Sequence, residues 1–106
     1  MNQAHKPMLA AKNKVFVIDD DEIVRFSCEK ILRQAGYAVE VFEDGYQGIA
    51  QLEDAKPDIL IVDIRMPGMD GFECMRQARR IDPDIVIIVI TGYATVSSAV
   101  EAMKKG

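Results

Sequence analysis

The sequence has a single histidine, His5, two cysteines, Cys28 and Cys74, and four prolines in 106 residues. One histidine in a polar N-terminal stretch excludes a histidine triad and a histidine-rich metal site. Neither cysteine belongs to a CxxC pair or a Cys/His cluster, so both read as reduced interior or near-surface thiols. Basic residues are outnumbered: 13 Lys and Arg against 17 Asp and Glu give a net charge of −4. The chain therefore lacks the positive footprint of a protein that binds nucleic acid or an anionic membrane surface. Its longest unbroken apolar run, Ile85 to Ile90, is far short of the roughly 20 residues that span a bilayer. Met1 to Asn13 has no apolar stretch of the length a secretory signal requires, so residues 1–13 read as a polar tail and the protein is expected in the cytoplasm.

What is present is the composition of one ordinary globular domain, 49% hydrophobic and 28% charged, expected over residues 14–106. Lys14 to Ile18 is a short β-branched and aromatic run that stops at Asp19-Asp20-Asp21-Glu22. Val24, Cys28, Ile31, Leu32 and Ala35 recur on one face of a helix, with Gly36 as its C-terminal stop. Ala38 to Phe42 alternates, with Val39 and Val41 on one side and Glu40 on the other, which predicts a strand at a sheet edge. Ile49 and Leu52 mark a short second helix, broken at Lys56-Pro57-Asp58. Ile59 to Val62 is a third strand ending in Asp63, and Phe72, Met75, Ala78 and Arg79 share one face of a third helix. Ile85 to Ile90 is the fourth strand, and Val96, Ala99, Val100 and Met103 outline a fourth helix. Strands alternating with helices across short loops predict an α/β fold with a doubly wound parallel sheet and helices on both faces.

In such sheets functional groups gather beyond the carboxyl ends of the strands, where strand order reverses. Asp19 and Asp20 end strand one, Asp63 ends strand three and Thr91 ends strand four. If strands one and three are neighbours, three carboxylates converge. Packed together they raise each other's pKa, so they coexist as anions only with a cation. With oxygen ligands alone, Mg²⁺ or Mn²⁺ suits the site better than Zn²⁺. A carboxylate beside such an ion can attack a phosphoryl group to give an acyl phosphate. Asp63, a single acid on a wholly apolar strand, is the nucleophile candidate, and Asp19 and Asp20 are the candidate metal pair. The Thr91 hydroxyl can donate to a phosphoryl oxygen, or cap the following turn. Asp21 and Glu22 suit a helix N-terminus.

These residues resemble the receiver domain of bacterial two-component response regulators, whose fold is flavodoxin-like. The resemblance runs from Lys14 to Gly106 and rests on Val17-Ile18-Asp19-Asp20-Asp21-Glu22, on Asp63-Ile-Arg-Met-Pro-Gly-Met-Asp-Gly71 and on Ile88-Val-Ile-Thr91-Gly92. It implies that Asp63 accepts a phosphoryl group from a sensor histidine kinase or a phosphotransfer protein. It also implies that Asp20, Asp63 and the Arg65 carbonyl bind Mg²⁺, that Asp19 assists through water, and that Thr91 is the switch hydroxyl. Arg65 and Tyr93 would flank the approach to the site and tune the acyl phosphate's lifetime. The family's sheet order is 2-1-3-4-5.

The family's fifth βα unit, with its lysine and aromatic switch residue, is not reached before Gly106. Lys104 and Lys105 cannot replace that lysine. A helix from about Thr95 rises roughly 1.5 Å per residue and carries them on the order of 15 Å from the strand ends. The wholly apolar strand 85–90 reads as interior, covered on both faces. With one edge bare, the chain is expected to dimerise by exchanging elements, to aggregate, or to be a shortened piece of a longer protein, the last being the favoured reading. The first reading is a phosphorylation-controlled switch. An interaction module that has lost phosphorylation stays open, as does a metal-dependent phosphatase using Asp19. Against the phosphatase, Ile23 stands where the D-x-D-x-[TV] motif has Thr or Val. No G-x-G-x-x-G or G-x-x-x-x-G-K-[ST] follows any strand, which disfavours nucleotide binding.

Overall fold

In the computed structural model, which describes residues 13–90, the apolar runs form strands of five residues each: β1 (Lys14–Ile18), β2 (Ala38–Phe42), β3 (Ile59–Asp63) and β4 (Val86–Ile90). Between them lie helices α1 (Glu22–Gln34), α2 (Gly45–Ala55) and α3 (Gly71–Ile81). All pairings are parallel, in the order β2-β1-β3-β4, so β1 and β3 are neighbours and β2 is an edge strand, as its alternation predicts. Each helix starts on an aspartate. The side chains of Asp21, Asp44 and Asp70 accept hydrogen bonds from the first-turn amides of α1, α2 and α3, which satisfies donors with no partner inside the helix. Gly36, with φ +99°, ends α1 in the left-handed region that favours glycine. The predicted fourth helix, Thr91, Tyr93 and the tail 1–13 lie outside the described residues, apart from Asn13 at the tail's end.

Strand alternation divides the core into two layers. Val15, Val17, Val39 and Ile61 point to the α1 side, where Cys28 and Leu32 pack on them. Phe16, Ile18, Leu60 and Val62 point to the other side, against Leu52 of α2 and Cys74, Met75 and Ala78 of α3. Phe42 also faces this second layer, its ring 4.8 Å from that of Phe16, so the face of β2 that carries exposed Glu40 is partly covered. Cys28 and Cys74 are both free thiols, and burial pushes the Cys74 thiol up to about 11, where it stays protonated at neutral pH.

Two expectations need correction. Ile31 and Ala35, placed on the buried stripe of the first helix by their spacing, are both exposed, Ile31 to 64%. The helix lies over β1 and β2, and only the narrow arc of Val24, Cys28 and Leu32 is turned inward. Strand four is not covered on both faces among the described residues, since Val86 is 43% and Ile88 46% exposed. Both share the α1 side, and α1 does not extend across β3 to reach them. Ile85, just before the strand, is buried in the opposite layer.

These environments separate the cost of truncation at two apolar positions. Phe16→Ala is expected to cost about 3–5 kcal/mol in urea denaturation, and Ile31→Ala less than about 1 kcal/mol, because only the first opens a cavity.

Candidate phosphoacceptor site

The parallel pairing of β1 with β3 brings Asp19, Asp20 and Asp63 to one place. One carboxylate oxygen of each lies within 4.8 Å of the other two. Asp19 is 2% and Asp63 7% exposed, while Asp20 faces solvent. This is the convergence expected from the strand ends.

Backbone contacts hold the group. Asp19 donates its amide to the Phe42 carbonyl at 3.1 Å, and its carboxylate accepts the Asp21 amide at 2.8 Å. Its own carbonyl accepts from Arg25 Nη1 at 2.7 Å. The Asp63 carboxylate accepts the Arg65 amide at 3.2 Å, and Ile64 donates its amide to the Ile90 carbonyl at 3.3 Å. Thus β2 and α1 fix Asp19, and the β3–α3 loop together with β4 fixes Asp63. Arg65 itself is exposed on that loop.

The loop from Ile64 to Asp70 is anchored by buried Met66 and Met69 and turns at Gly68, with φ +78°, beneath the ring of Tyr46. It closes where Gly71 donates its amide to the Ile64 carbonyl at 2.9 Å. A Cβ at Gly71 would press on the Asp63 carbonyl oxygen and on Ile64 Cα at 2.6 Å, both backbone atoms that cannot turn aside. Gly71 therefore serves by close approach and not by an unusual φ.

Burial is the first cause of the unusual protonation of Asp19, whose carboxyl is pushed up from 3.8 to about 6. The Asp21 amide opposes this by stabilising the anion, and repulsion from Asp63 and then Asp20 adds to the rise. Mutual repulsion, the cause expected from the sequence, ranks behind desolvation here because Asp19 is itself buried and follows the fully buried run Val15 to Ile18. An all-oxygen, anionic donor set whose most buried member resists ionisation fits a hard divalent cation.

A parallel α/β sheet in order 2-1-3-4 with carboxylates at the ends of β1 and β3 defines a class of domain that carries an acidic site at its switch point. Over residues 15–106 the chain matches the response regulator receiver domain, and it belongs to that family. It is 38% identical over 92 residues to the DNA-binding transcriptional regulator NtrC of Salmonella typhimurium, covering 87% of this chain and 20% of that protein. To the C4-dicarboxylate transport transcriptional regulatory protein DctD of Rhizobium meliloti it is 38% identical over 98 residues, covering 92% of this chain and 21% of that protein. The chain thus spans about a fifth of the length of these two relatives. Among solved structures, chemotaxis protein CheY4 of Vibrio cholerae superposes with a TM-score of 0.79 at 30% identity, covering 89% of this chain and 80% of that one. FixJ-N superposes at 0.77 with 38% identity, covering 89% and 75%. The flavodoxin-like receiver fold is therefore shown, and with it a regulatory phosphoacceptor domain in place of a turnover enzyme. The phosphatase reading falls with it.

Two outcomes follow from this geometry. Gly71→Ala is expected to destabilise the fold by about 2 kcal/mol in urea denaturation, because the backbone of Asp63 must move. In chelator, wild type is expected to lose stability relative to Asp19→Asn as pH rises through about 6. The folded state holds a proton on Asp19 that the unfolded state releases near 3.8, so this contribution is full at low pH and lost above the folded value. Melting curves of the two proteins at pH 5 and pH 7.5 check the sign: the melting temperature of wild type minus that of Asp19→Asn is expected to fall from pH 5 to pH 7.5, and a difference that rises contradicts it.

Proposed function

We propose that this domain is a signalling switch in which Asp63 accepts a phosphoryl group from a phosphohistidine on a sensor histidine kinase or phosphotransfer protein. The observation that carries the proposal is the convergence of Asp19, Asp20 and Asp63 within 4.8 Å at the ends of β1 and β3. A carboxylate oxygen of Asp63 forms the bond to phosphorus as the phosphorus–nitrogen bond of the donor breaks, and the imidazole leaves with the electron pair. The product is an acyl phosphate on Asp63.

The residues that would hold Mg²⁺, or Mn²⁺, are Asp19, Asp20, Asp63 and the carbonyl of Arg65. When bound, the cation neutralises charge on the carboxylates and on the incoming phosphoryl oxygens. The chain's own groups do the positioning. The Arg65 amide holds one Asp63 oxygen, which orients the carboxylate, and the Asp21 amide does the same for Asp19. Thr91 is assigned the hydroxyl that meets the phosphoryl group, and Arg65 and Tyr93 flank the approach and tune access of water.

The phosphoryl group carries about −1.5 to −2 charges and three acceptor oxygens where the free Asp63 carboxylate carried −1, and the response is a changed surface that controls an output. Residues 14–106 form the receiver unit and residues 1–13 a polar tail. Among the described residues no helix is long and apolar enough to cross a membrane. A cytoplasmic location, with no direct nucleic-acid or membrane contact by this domain, agrees with the acidic charge balance.

The test is intact mass after incubation with Mg²⁺ and acetyl phosphate. A single phosphoryl increment is expected in wild type and none in Asp63→Asn. Wild type that binds Mg²⁺ yet takes up no phosphoryl group would instead identify an interaction module.

A further inference from the structure

Helix α1 is tied to the sheet by an arginine toward each end. Toward its C-terminus, Arg33 Nη2 donates to the Val39 carbonyl at 2.8 Å, and Arg33 pairs with Glu29 at 3.0 Å. Toward its N-terminus, Arg25 Nη1 donates to the Asp19 carbonyl at 2.7 Å. Helical side chains tilt toward the N-terminus, so a long side chain one turn inside the helix can reach back past the Asp21 cap to the end of β1.

The carbonyl that Arg25 holds belongs to the peptide joining Asp19 to Asp20. Asp19's carboxylate is secured by the Asp21 amide, and its own amide is secured by Phe42. Asp20 is different. Its side chain is exposed, so the direction it takes toward Asp19 and Asp63 is set by the peptide it springs from. Rotation of that peptide would swing Asp20 away from the cluster while leaving Asp19 in place.

We infer that Arg25 is a positioning residue for the acidic pocket: by holding the Asp19 carbonyl it fixes the peptide from which Asp20 projects, and so sets the third carboxylate in the cluster. The inference rests on the reading of Asp19, Asp20 and Asp63 as a Mg²⁺ site. Arg25 touches neither metal nor phosphoryl group in this role. Its counterpart Arg33 makes the same kind of bond far from the pocket, which separates anchoring of the helix from orientation of the acid.

The experiment compares wild type, Arg25→Ala, Arg25→Lys and Arg33→Ala by calorimetric Mg²⁺ titration and by ¹⁵N relaxation of the metal-free proteins. Arg25→Ala is expected to lose Mg²⁺ affinity by roughly tenfold, the scale on which groups behind metal ligands act, and Arg25→Lys to recover most of it. Arg33→Ala is expected to lower the melting temperature without changing Mg²⁺ affinity. In the metal-free state the order parameter of the Asp20 amide falls in Arg25→Ala, recovers in Arg25→Lys and is unchanged in Arg33→Ala. Mg²⁺ affinity in Arg25→Ala within about twofold of wild type overturns the inference. So does an equal loss of affinity in Arg33→Ala. If wild type itself binds no Mg²⁺, the metal reading fails, and the Asp20 amide alone decides whether Arg25 positions it.

Discussion

The structure depends on one electrostatic constraint, the gathering of three carboxylates at the ends of two adjacent parallel strands. Apolar strands with both layers covered bring their final residues into a common crevice, and here those residues are acids. The fold bears the cost of burying Asp19, whose carboxyl is pushed up by desolvation before any neighbouring charge is counted. Hydrogen bonds from the amides of Asp21 and Arg65 offset part of that cost and at the same time aim the carboxylates. A divalent cation would offset the remainder. A cation bound there would relieve the repulsion and so would couple its binding to stability.

Much of the surrounding architecture serves this arrangement. The β3–α3 loop is pinned by two buried methionines and by the close approach of Gly71, so Asp63 ends its strand on a rigid base. Gly45 at the start of α2 allows Met69 and Cys74 to pack against that helix, with Met69 Sδ 3.0 Å from where a Cβ would lie. Burial of α2 and α3 on the second core layer thus supports the loop from beneath. On the opposite side, α1 and its cap supply Arg25 and Asp21, which hold Asp19 by its carbonyl and its carboxylate.

Strand positions were legible in the sequence because each strand is a short apolar run that stops at a polar residue; the strand order, and with it the convergence of the acids, was implied by the receiver-domain resemblance. The edge position of β2 was legible in Glu40, set between two buried or half-buried valines. Ile31 was misjudged because periodicity gives the direction of a helix face but not how much of the sheet the helix covers. The exposed positions of β4 were misjudged for a related reason, since Val86 and Ile88 read as interior from composition alone. The ranking of burial over repulsion at Asp19 was hidden because spacing shows which charges meet and not how much water they lose. Close contacts at Gly45 and Gly71 depend on tertiary approach that no local pattern encodes. The reach of Arg25 did leave a trace, a long basic side chain one turn after a capping aspartate.

The central claim is that the three carboxylates form one cation site centred on Asp20 and Asp63. Anomalous diffraction from crystals grown with Mn²⁺ tests it most directly. The account predicts a single strong peak at the ends of β1 and β3, on the order of 2 Å from carboxylate oxygens of Asp20 and Asp63. A peak at another group of acids, or none at this crevice with Mn²⁺ in excess, would contradict it.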